Sequence, residues 1–117
     1  MPYIRIDCSD SVARDLKQEI CRTITEMIPV LPNKLPGHTM VCFEDDGCLY
    51  FNESFEKCLK ITVELYMPSP DDAKKEFAEQ LMKYLSDTLD IPVQRMYMTY
   101  IEHDHWGSGG TLRFSKQ

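Results

Sequence analysis

Residues 57–66 read KCLKITVELY, and this stretch decides the fold that the sequence predicts. It is rich in β-branched and apolar side chains, which is typical of a β-strand. Ile61, Val63 and Leu65 form one apolar alternating set, whereas the side chains between them are mixed in character. One face of this strand is therefore expected to lie against a hydrophobic core.

A helix signal follows this strand. Ser69 is a good N-cap residue, Pro70 suits the first helical position, and two aspartates then complement the positive end of the helix dipole. Apolar residues recur every four positions at Ala73, Phe77, Leu81, Leu85 and Leu89. Pro92 is expected to close the helix, and residues 94–103 (QRMYMTYIEH) are predicted to form the last long strand.

The first half of the chain repeats this order. Residues 3–7 alternate like a strand, the polar side chains of residues 9–11 are expected to cap a helix, and helical apolar spacing continues to the prolines at 29–32. Residues 38–44 (HTMVCFE) form the next predicted strand. Two βαβ units predict an α/β (α+β) fold, with a four-stranded mixed sheet and both helices on one face.

Composition excludes several classes of function. Residues 1–117 have the length of a single domain, and the net charge of −6 argues against non-specific nucleic-acid binding. No apolar run approaches about 18 residues, so no membrane span is expected. The five cysteines are odd in number and form no C-x-x-C pair, which favours reduced thiols. We therefore expect a cytoplasmic protein, with non-classical export as an open alternative.

The last long strand raises a packing problem. In residues 96–101 (MYMTYI) both alternating sets are largely apolar, but helices on one side of a sheet cover only one of them. A second apolar face is best covered by another chain, which predicts an oligomer. The alternative is a ferredoxin-like monomer with the same element order and a partly exposed sheet.

Several short motifs occur in a recognisable order along the chain. They are Met1-Pro2 before a strand, Asn33-Lys34-Leu35-Pro36 after the first helix, Leu49-Tyr50-Phe51 in a short strand or tight loop, Ile91-Pro92 before Arg95-Met96-Tyr97, and Trp106-Gly107 with Gly110-Thr111 and Phe114 near the end. By these features the chain resembles the macrophage migration inhibitory factor branch of the tautomerase superfamily, the phenylpyruvate tautomerase-like proteins, over essentially its whole length. The resemblance implies a homotrimer whose three sheets form a barrel-like interior.

Pro2 is the residue on which the predicted chemistry depends. If Met1 is removed, Pro2 carries a free amine, and an α-amino group has a pKa of about 7.7–8.0. A nearby cation and an apolar wall would lower that pKa toward neutrality, where a general base is efficient. Pro2 would then take a proton from carbon next to a carbonyl, which is the tautomerisation that the resemblance implies. The alternative is that Pro2 only begins a strand, where sheets tolerate proline.

The resemblance also implies substrate-binding residues. Lys34 would hold a substrate carboxylate and lower the pKa of Pro2, unless it is an exposed loop lysine. The backbone N–H of Tyr66 would donate to the substrate. The Tyr97 hydroxyl would reach a neighbouring subunit's pocket, with packing in the trimer core as the alternative.

Four further pocket positions follow from the same resemblance. Thr99 stands where animal members often carry asparagine, and His38 stands where an aromatic residue is common. Both differences imply altered contacts in the pocket. Trp106 and Phe114 would line the mouth for an aromatic substrate, although Trp106 could equally be an ordinary packing residue.

The predicted function is keto–enol tautomerisation of 2-oxo acids such as phenylpyruvate, without a cofactor. Residues 67–70 (MPSP) lack the arginines of the dehalogenase and decarboxylase branches, and the missing C-x-x-C disfavours a thiol oxidoreductase. His103 and His105 have no second ligand cluster, so a surface loop is predicted there and no metal site. The alternative is a non-catalytic trimeric binding or cytokine-like signalling protein on the same fold.

Overall fold

Two strand–helix–strand units make up the computed structural model, which describes residues 1–114. In chain order the elements are β1 (Pro2–Cys8), α1 (Arg14–Met27), β2 (Met40–Glu44), β3 (Leu59–Tyr66), α2 (Asp71–Leu89), β4 (Met96–His103), β5 (His105–Ser108) and β6 (Thr111–Phe114). The main sheet has the order β2-β1-β3-β4, while β5 and β6 form a separate hairpin. β1 runs parallel to β2 and antiparallel to β3, and β3 runs parallel to β4. The predicted four-stranded mixed sheet is confirmed.

Strand alternation buries one face of this sheet beneath both helices. The core residues of β1 and β3 are Ile4, Ile6, Cys8, Leu59, Ile61, Val63 and Leu65. The helices cover them with Ile20, Ile24, Phe77, Leu81 and Leu85. Burying a large apolar side chain stabilises the fold by about 1.5–3 kcal/mol. The apolar set predicted from residues 57–66 therefore lies at the centre of the core.

The first helix begins without the predicted side-chain caps. Ala13 is the N-cap residue of α1, and no side chain hydrogen-bonds to the helix start there. The Oγ of Ser9 instead accepts a hydrogen bond of 3.0 Å from the backbone just before β3. Asp45, after β2, accepts a hydrogen bond of 2.8 Å from the N–H of Val12. The capping prediction was wrong because these polar groups have partners that are distant in sequence. Asp45 binds the N–H of Val12, and the Ser9 side chain binds a backbone N–H before β3 instead of the helix start.

The second helix starts one residue later than predicted. Pro70 is its N-cap residue, and the N–H of the preceding Ser69 donates to Oε2 of Glu102 at 2.7 Å. The two aspartates lie in the first turn, as expected. The helix ends before Pro92 because Asp90 adopts a left-handed conformation with φ of 56°.

Arg95 holds together the loop between β2 and β3. Phe51 and Ser54 pair with each other in an isolated bridge, so this segment is a tight loop. The Arg95 guanidinium donates to the carbonyl oxygens of Phe51, Ser54, Glu56 and Lys57. The ring of Phe51 also lies 4.6 Å from that of Tyr97, between centroids. The loop is thereby attached to the start of β4.

The face of the main sheet that the helices do not cover, here called the open face, is more polar than the sequence pattern indicated. Tyr97 and Ile101 are exposed there, as expected for an apolar second face. Between the strands, however, Nζ of Lys60 donates to the hydroxyl oxygens of Thr62 and Thr99, each at 2.7 Å. The homotrimer stays a prediction, with a mixed surface as its proposed contact.

The predicted surface loop at residues 103–105 is wrong. His103 is the last residue of β4 and His105 the first of β5, so Asp104 alone separates two strands. The hairpin pairs Trp106 with Arg113, and residues 115–117 of the predicted domain lie outside the described part. Neither helix within residues 1–114 has the length and apolar character needed to cross a membrane.

Candidate active site

A groove opens beside the first residues of β1. Its volume is about 890 Å³, which is within the range of about 300–1,000 Å³ typical of small-molecule sites. Its wall is formed by residues 1–3, the turn that leads into β2, Glu64 of β3, the end of β4 and the β5–β6 hairpin. Of the residues predicted for the site, Pro2, His38 and Trp106 line this groove.

The chain terminus lies in an environment that favours a neutral amine. Pro2 is buried and pairs with Leu65 across β1 and β3. The carbonyl oxygen of Met1 accepts a hydrogen bond of 3.2 Å from the N–H of Tyr66. Burial lowers the pKa of the Met1 amino group below its usual 8.0, and the positive charge of Lys34 lowers this pKa further. These are the two causes expected to adjust a base at this position.

Lys34 is buried, with 7% of its surface exposed. Its Nζ donates to the carbonyl oxygens of Tyr66 at 2.6 Å and Met67 at 3.3 Å. Met67 has a left-handed φ of 71°, and two successive carbonyl groups meet one ammonium at this turn. Burial lowers the pKa of Lys34, and the negative charge of Glu102 opposes that change. Lys34 is thus fixed beside the terminus and is not an exposed loop lysine.

His103 and Glu64 form a pair in the groove that sequence reasoning did not connect. Nε2 of His103 lies 2.8 Å from Oε1 of Glu64, and both side chains are half-buried. The His103 ring also meets the Trp106 ring edge-on, with 5.7 Å between centroids. No signal in the sequence joins the two residues, because their proximity depends on the parallel register of β3 and β4, which pairs Tyr66 with His103 and Glu64 with Ile101.

Positive and titratable side chains are concentrated around this groove. All three histidines of the chain line it, together with Arg113. Glu64 is the acidic residue of the described wall, although the whole chain carries a net charge of −6. Among residues 1–114, no three His, Cys, Asp or Glu side chains are grouped so that they could hold a metal ion. The side chains of the groove wall thus include one arginine, three histidines and one glutamate.

Three predicted site residues lie away from the groove of their own chain. Tyr97 pairs with Lys60, whereas Pro2 pairs with Leu65. Tyr97 and Pro2 therefore lie five residues of β3 apart along the strand direction. At about 3.3 Å per residue, this separation is about 16 Å. Thr99 lies near the same far end and is bonded to Lys60.

Phe114 is also outside the groove wall. It lies on β6, is 53% exposed, and packs its ring 5.2 Å from that of His105. One chain therefore brings together Pro2, Lys34, His38, the backbone of Tyr66 and Trp106. It leaves the remaining predicted residues on surfaces that a second chain could contact.

The sheet, the helices and the groove at the terminus define an α+β protein with a small-molecule site at its first residues. The family model for macrophage migration inhibitory factor (MIF) matches residues 1–112. The chain belongs to the MIF family, as its motifs predicted. No curated protein sequence matches the chain significantly.

Solved structures share this fold at low sequence identity. Leishmania major MIF2 has a TM-score of 0.89 and 20% identity, with 96% of this chain and 97% of that chain covered. A MIF-like protein from Entamoeba histolytica has a TM-score of 0.84 and 15% identity, with 95% and 97% covered. Pt0534, solved after inactivation by 2-oxo-3-pentynoate, has a TM-score of 0.81 and 13% identity, with 92% and 93% covered. At these identities the likeness is one of fold.

Proposed function

We propose that this protein is a keto–enol tautomerase of 2-oxo acids such as phenylpyruvate, and that it works as a homotrimer. Its base is the amine of Pro2, which becomes the terminal residue when Met1 is removed. The observation that carries this proposal is the environment of the chain terminus beside the groove, where burial and the positive charge of Lys34 lower the pKa of the Met1 amine. A base that is neutral near the working pH is the efficient choice for proton transfer.

Removal of Met1 would change two groups in the groove. Pro2 would gain a basic nitrogen, since an amide nitrogen cannot accept a proton from carbon. The Tyr66 N–H, which donates to the Met1 carbonyl, would become free to donate to a substrate. The proline ring holds its nitrogen rigidly, so little freedom is lost when the base meets the substrate.

The surroundings of the terminus support an anionic, partly aromatic substrate. Lys34 supplies a buried positive charge beside Tyr66, and Arg113 adds a second cation at the groove wall. Trp106 offers an aromatic surface. A 2-oxo compound inactivates Pt0534, a protein of the same fold. A carboxylate next to a carbonyl is the chemical group that these residues would recognise.

The homotrimer would complete the site with residues from a second chain. Tyr97 is 63% exposed and lies about 16 Å, by strand length, from the level of its own Pro2. A neighbouring subunit could therefore receive the Tyr97 hydroxyl, while Thr99 and Phe114 would contribute near the same boundary. The five cysteines are free, which fits a reducing compartment, and we propose that the enzyme acts in the cytoplasm.

The test compares Pro2→Gly with the parent protein after Met1 removal has been verified by intact mass. Enol formation from phenylpyruvate should be much slower in Pro2→Gly, whose primary amine is held less firmly than the ring nitrogen, with loss of the whole contribution of a positioned base, about 10²–10⁴-fold, as the upper limit. Pro92→Gly is the matched control, because it makes the same change at an exposed proline outside the groove. Equal turnover by Pro2→Gly and the parent would overturn the proposal.

One observation favours a second candidate function. While Met1 is present, its carbonyl occupies the Tyr66 N–H and the Pro2 nitrogen is an amide. A chain that keeps Met1 would have no terminal amine on proline and would act as a non-catalytic trimeric binding or signalling protein. Intact mass of the protein isolated from its own cells separates these two candidates.

A further inference from the structure

We infer that His103 is a second catalytic residue, which exchanges a proton with the oxygen of the substrate while Pro2 exchanges one with carbon. Glu64 is its positioning residue. This inference rests on the proposed function, because it assigns a second role in the same reaction. The observation behind it is that His103, Glu64 and Pro2 line one groove and that the first two are joined at 2.8 Å.

The pairing defines which nitrogen of His103 is available. An ionised carboxylate can only accept, so Nε2 of His103 carries the hydrogen that is shared with Glu64. Nδ1 is then the nitrogen that can meet a ligand. Trp106 contacts the ring from its edge, and the carbonyl of His103 accepts from the Met67 N–H at 3.0 Å. Side-chain and backbone contacts together fix the ring in the wall.

Pro2 and His103 both line the groove, and their strands β1 and β4 flank β3 in the sheet. Neighbouring strands are about 4.8 Å apart, so β1 and β4, with β3 between them, have backbones about 10 Å apart. Pro2 pairs with Leu65, and His103 pairs with the next residue, Tyr66. Pro2 and His103 therefore lie one residue of β3 apart along the strand direction. A 2-oxo acid bound in the groove at this end of β3 would contact both residues.

The proton balance of the step is complete without another reactant. The C3–H bond breaks as the Pro2 amine takes its proton, and the electron pair forms the C2=C3 double bond. The carbonyl oxygen takes a proton from Nδ1 of the His103 imidazolium and becomes the enol hydroxyl. Pro2 gains one proton and His103 loses one. The reverse transfers, or exchange with water, restore both groups.

Glu64 contributes by holding the ring in one orientation through the 2.8 Å contact with Nε2. A carboxylate bonded to one ring nitrogen selects the orientation of the other. Loss of this contact should therefore reduce the catalytic effect of His103 without abolishing it. The pair should behave as one unit, so that removal of both groups costs little more than removal of the histidine.

The experiment measures kcat and KM for phenylpyruvate in the processed protein and in His103→Gln, Glu64→Gln and the double variant. We expect kcat to fall about 100-fold in His103→Gln and about tenfold in Glu64→Gln, with KM changed less than about threefold. The double variant should match His103→Gln within about twofold. A structural role would instead lower the urea midpoint and leave kcat unchanged.

Asp45→Asn is the matched control for a lost ion pair. Asp45 is paired with Lys17 at 3.1 Å and is shielded from solvent to a degree similar to Glu64. It follows the last residue of β2, whereas the groove lies at the first residue of that strand. It should lose stability and keep kcat. Pro2→Gly is measured alongside: if it is impaired while His103→Gln keeps the parent kcat, the role of His103 is overturned and the proposed function stands. A processed parent without turnover overturns both.

Discussion

Tyr66 joins the chain terminus by donating its backbone N–H to the carbonyl oxygen of Met1 across 3.2 Å. The carbonyl group of the same residue accepts from Nζ of Lys34 at 2.6 Å. One peptide segment at the end of β3 therefore contacts both the terminus and the buried cation. Removal of Met1 would free the N–H while the lysine contact remains, so processing alone would create a donor and a base side by side.

Replacing Lys34 tests the effect of the buried cation on this base. Lys34→Met keeps much of the apolar stem but removes the charge that would hold a carboxylate. The KM for phenylpyruvate should rise about 10–100-fold, which corresponds to loss of a hydrogen bond to a charged group worth about 1.5–3 kcal/mol.

The pH profile gives the second readout for Lys34→Met. Lys34 lowers the pKa of the Met1 amine at this terminus, and we expect the same effect on the Pro2 amine, so loss of the cation should raise the pKa of Pro2. Because the neutral amine is the active base, the rising limb of kcat/KM should move to higher pH. Lys17→Met, on α1 and paired with Asp45 beyond the end of β2, should leave KM and the pH of the rising limb unchanged. Kinetics and a pH profile identical to those of the parent would show that Lys34 has no part in the site.

The fold could be predicted because its signals are local and periodic. The alternation at Ile61, Val63 and Leu65 fixed which face of β3 is buried, and the four-residue spacing that includes Phe77 located α2. The caps could not be predicted, since Ser9 is bonded to a segment about 50 residues away in sequence. Local polar composition does not reveal a partner of that kind.

The site could be predicted only where one residue carries its own signal. Pro2 and Lys34 stand out by position and type, and the structure brings them near the same end of β3. The pair of Glu64 and His103 depends on the register of two strands, which a single sequence does not specify. His103 was considered for metal binding, and its real neighbour is a carboxylate 39 residues earlier in the chain.

Asp45 should stabilise the fold in a pH-dependent manner. The Val12 N–H bond and then the Lys17 contact lower the pKa of Asp45 below 3.8. A carboxyl group with a lowered pKa in the folded state contributes stability that is fully present above the unfolded pKa and is lost as pH falls through the folded one. Asp45→Asn should therefore unfold at lower urea concentration than the parent at pH 7.

The same difference should disappear in acid. Once the pH has fallen below the lowered pKa of Asp45 in the folded state, the parent carboxyl is protonated in both states, and the two urea midpoints should converge. Asp87→Asn, on an exposed ion pair with Lys83, should show a much smaller difference at either pH. A gap between Asp45→Asn and the parent that is equally large at both pH values would contradict this account.

Assembly provides a separate prediction. Tyr97 and Ile101 are 63% and 45% exposed on the open face of the sheet. Multi-angle light scattering at micromolar concentration should give three times the chain mass of 13.7 kDa. Introducing a charge with Ile101→Lys should shift the distribution toward lower mass, whereas Lys75→Ala on the outer face of α2 should not. A parent protein that scatters as a 13.7 kDa monomer would rule out the trimer.

The most direct test of the central claim is the rate of phenylpyruvate enolisation by two forms of the same chain, each defined by intact mass. One form begins at Pro2, and the other carries one additional residue ahead of Pro2. The extended form should keep its assembly, because β1 pairs through the same register, but its proline nitrogen is an amide. We predict that it is slower by about 10²–10⁴-fold, the loss expected for a missing general base. Equal rates in the two forms would contradict the claim that the proline amine is the catalyst.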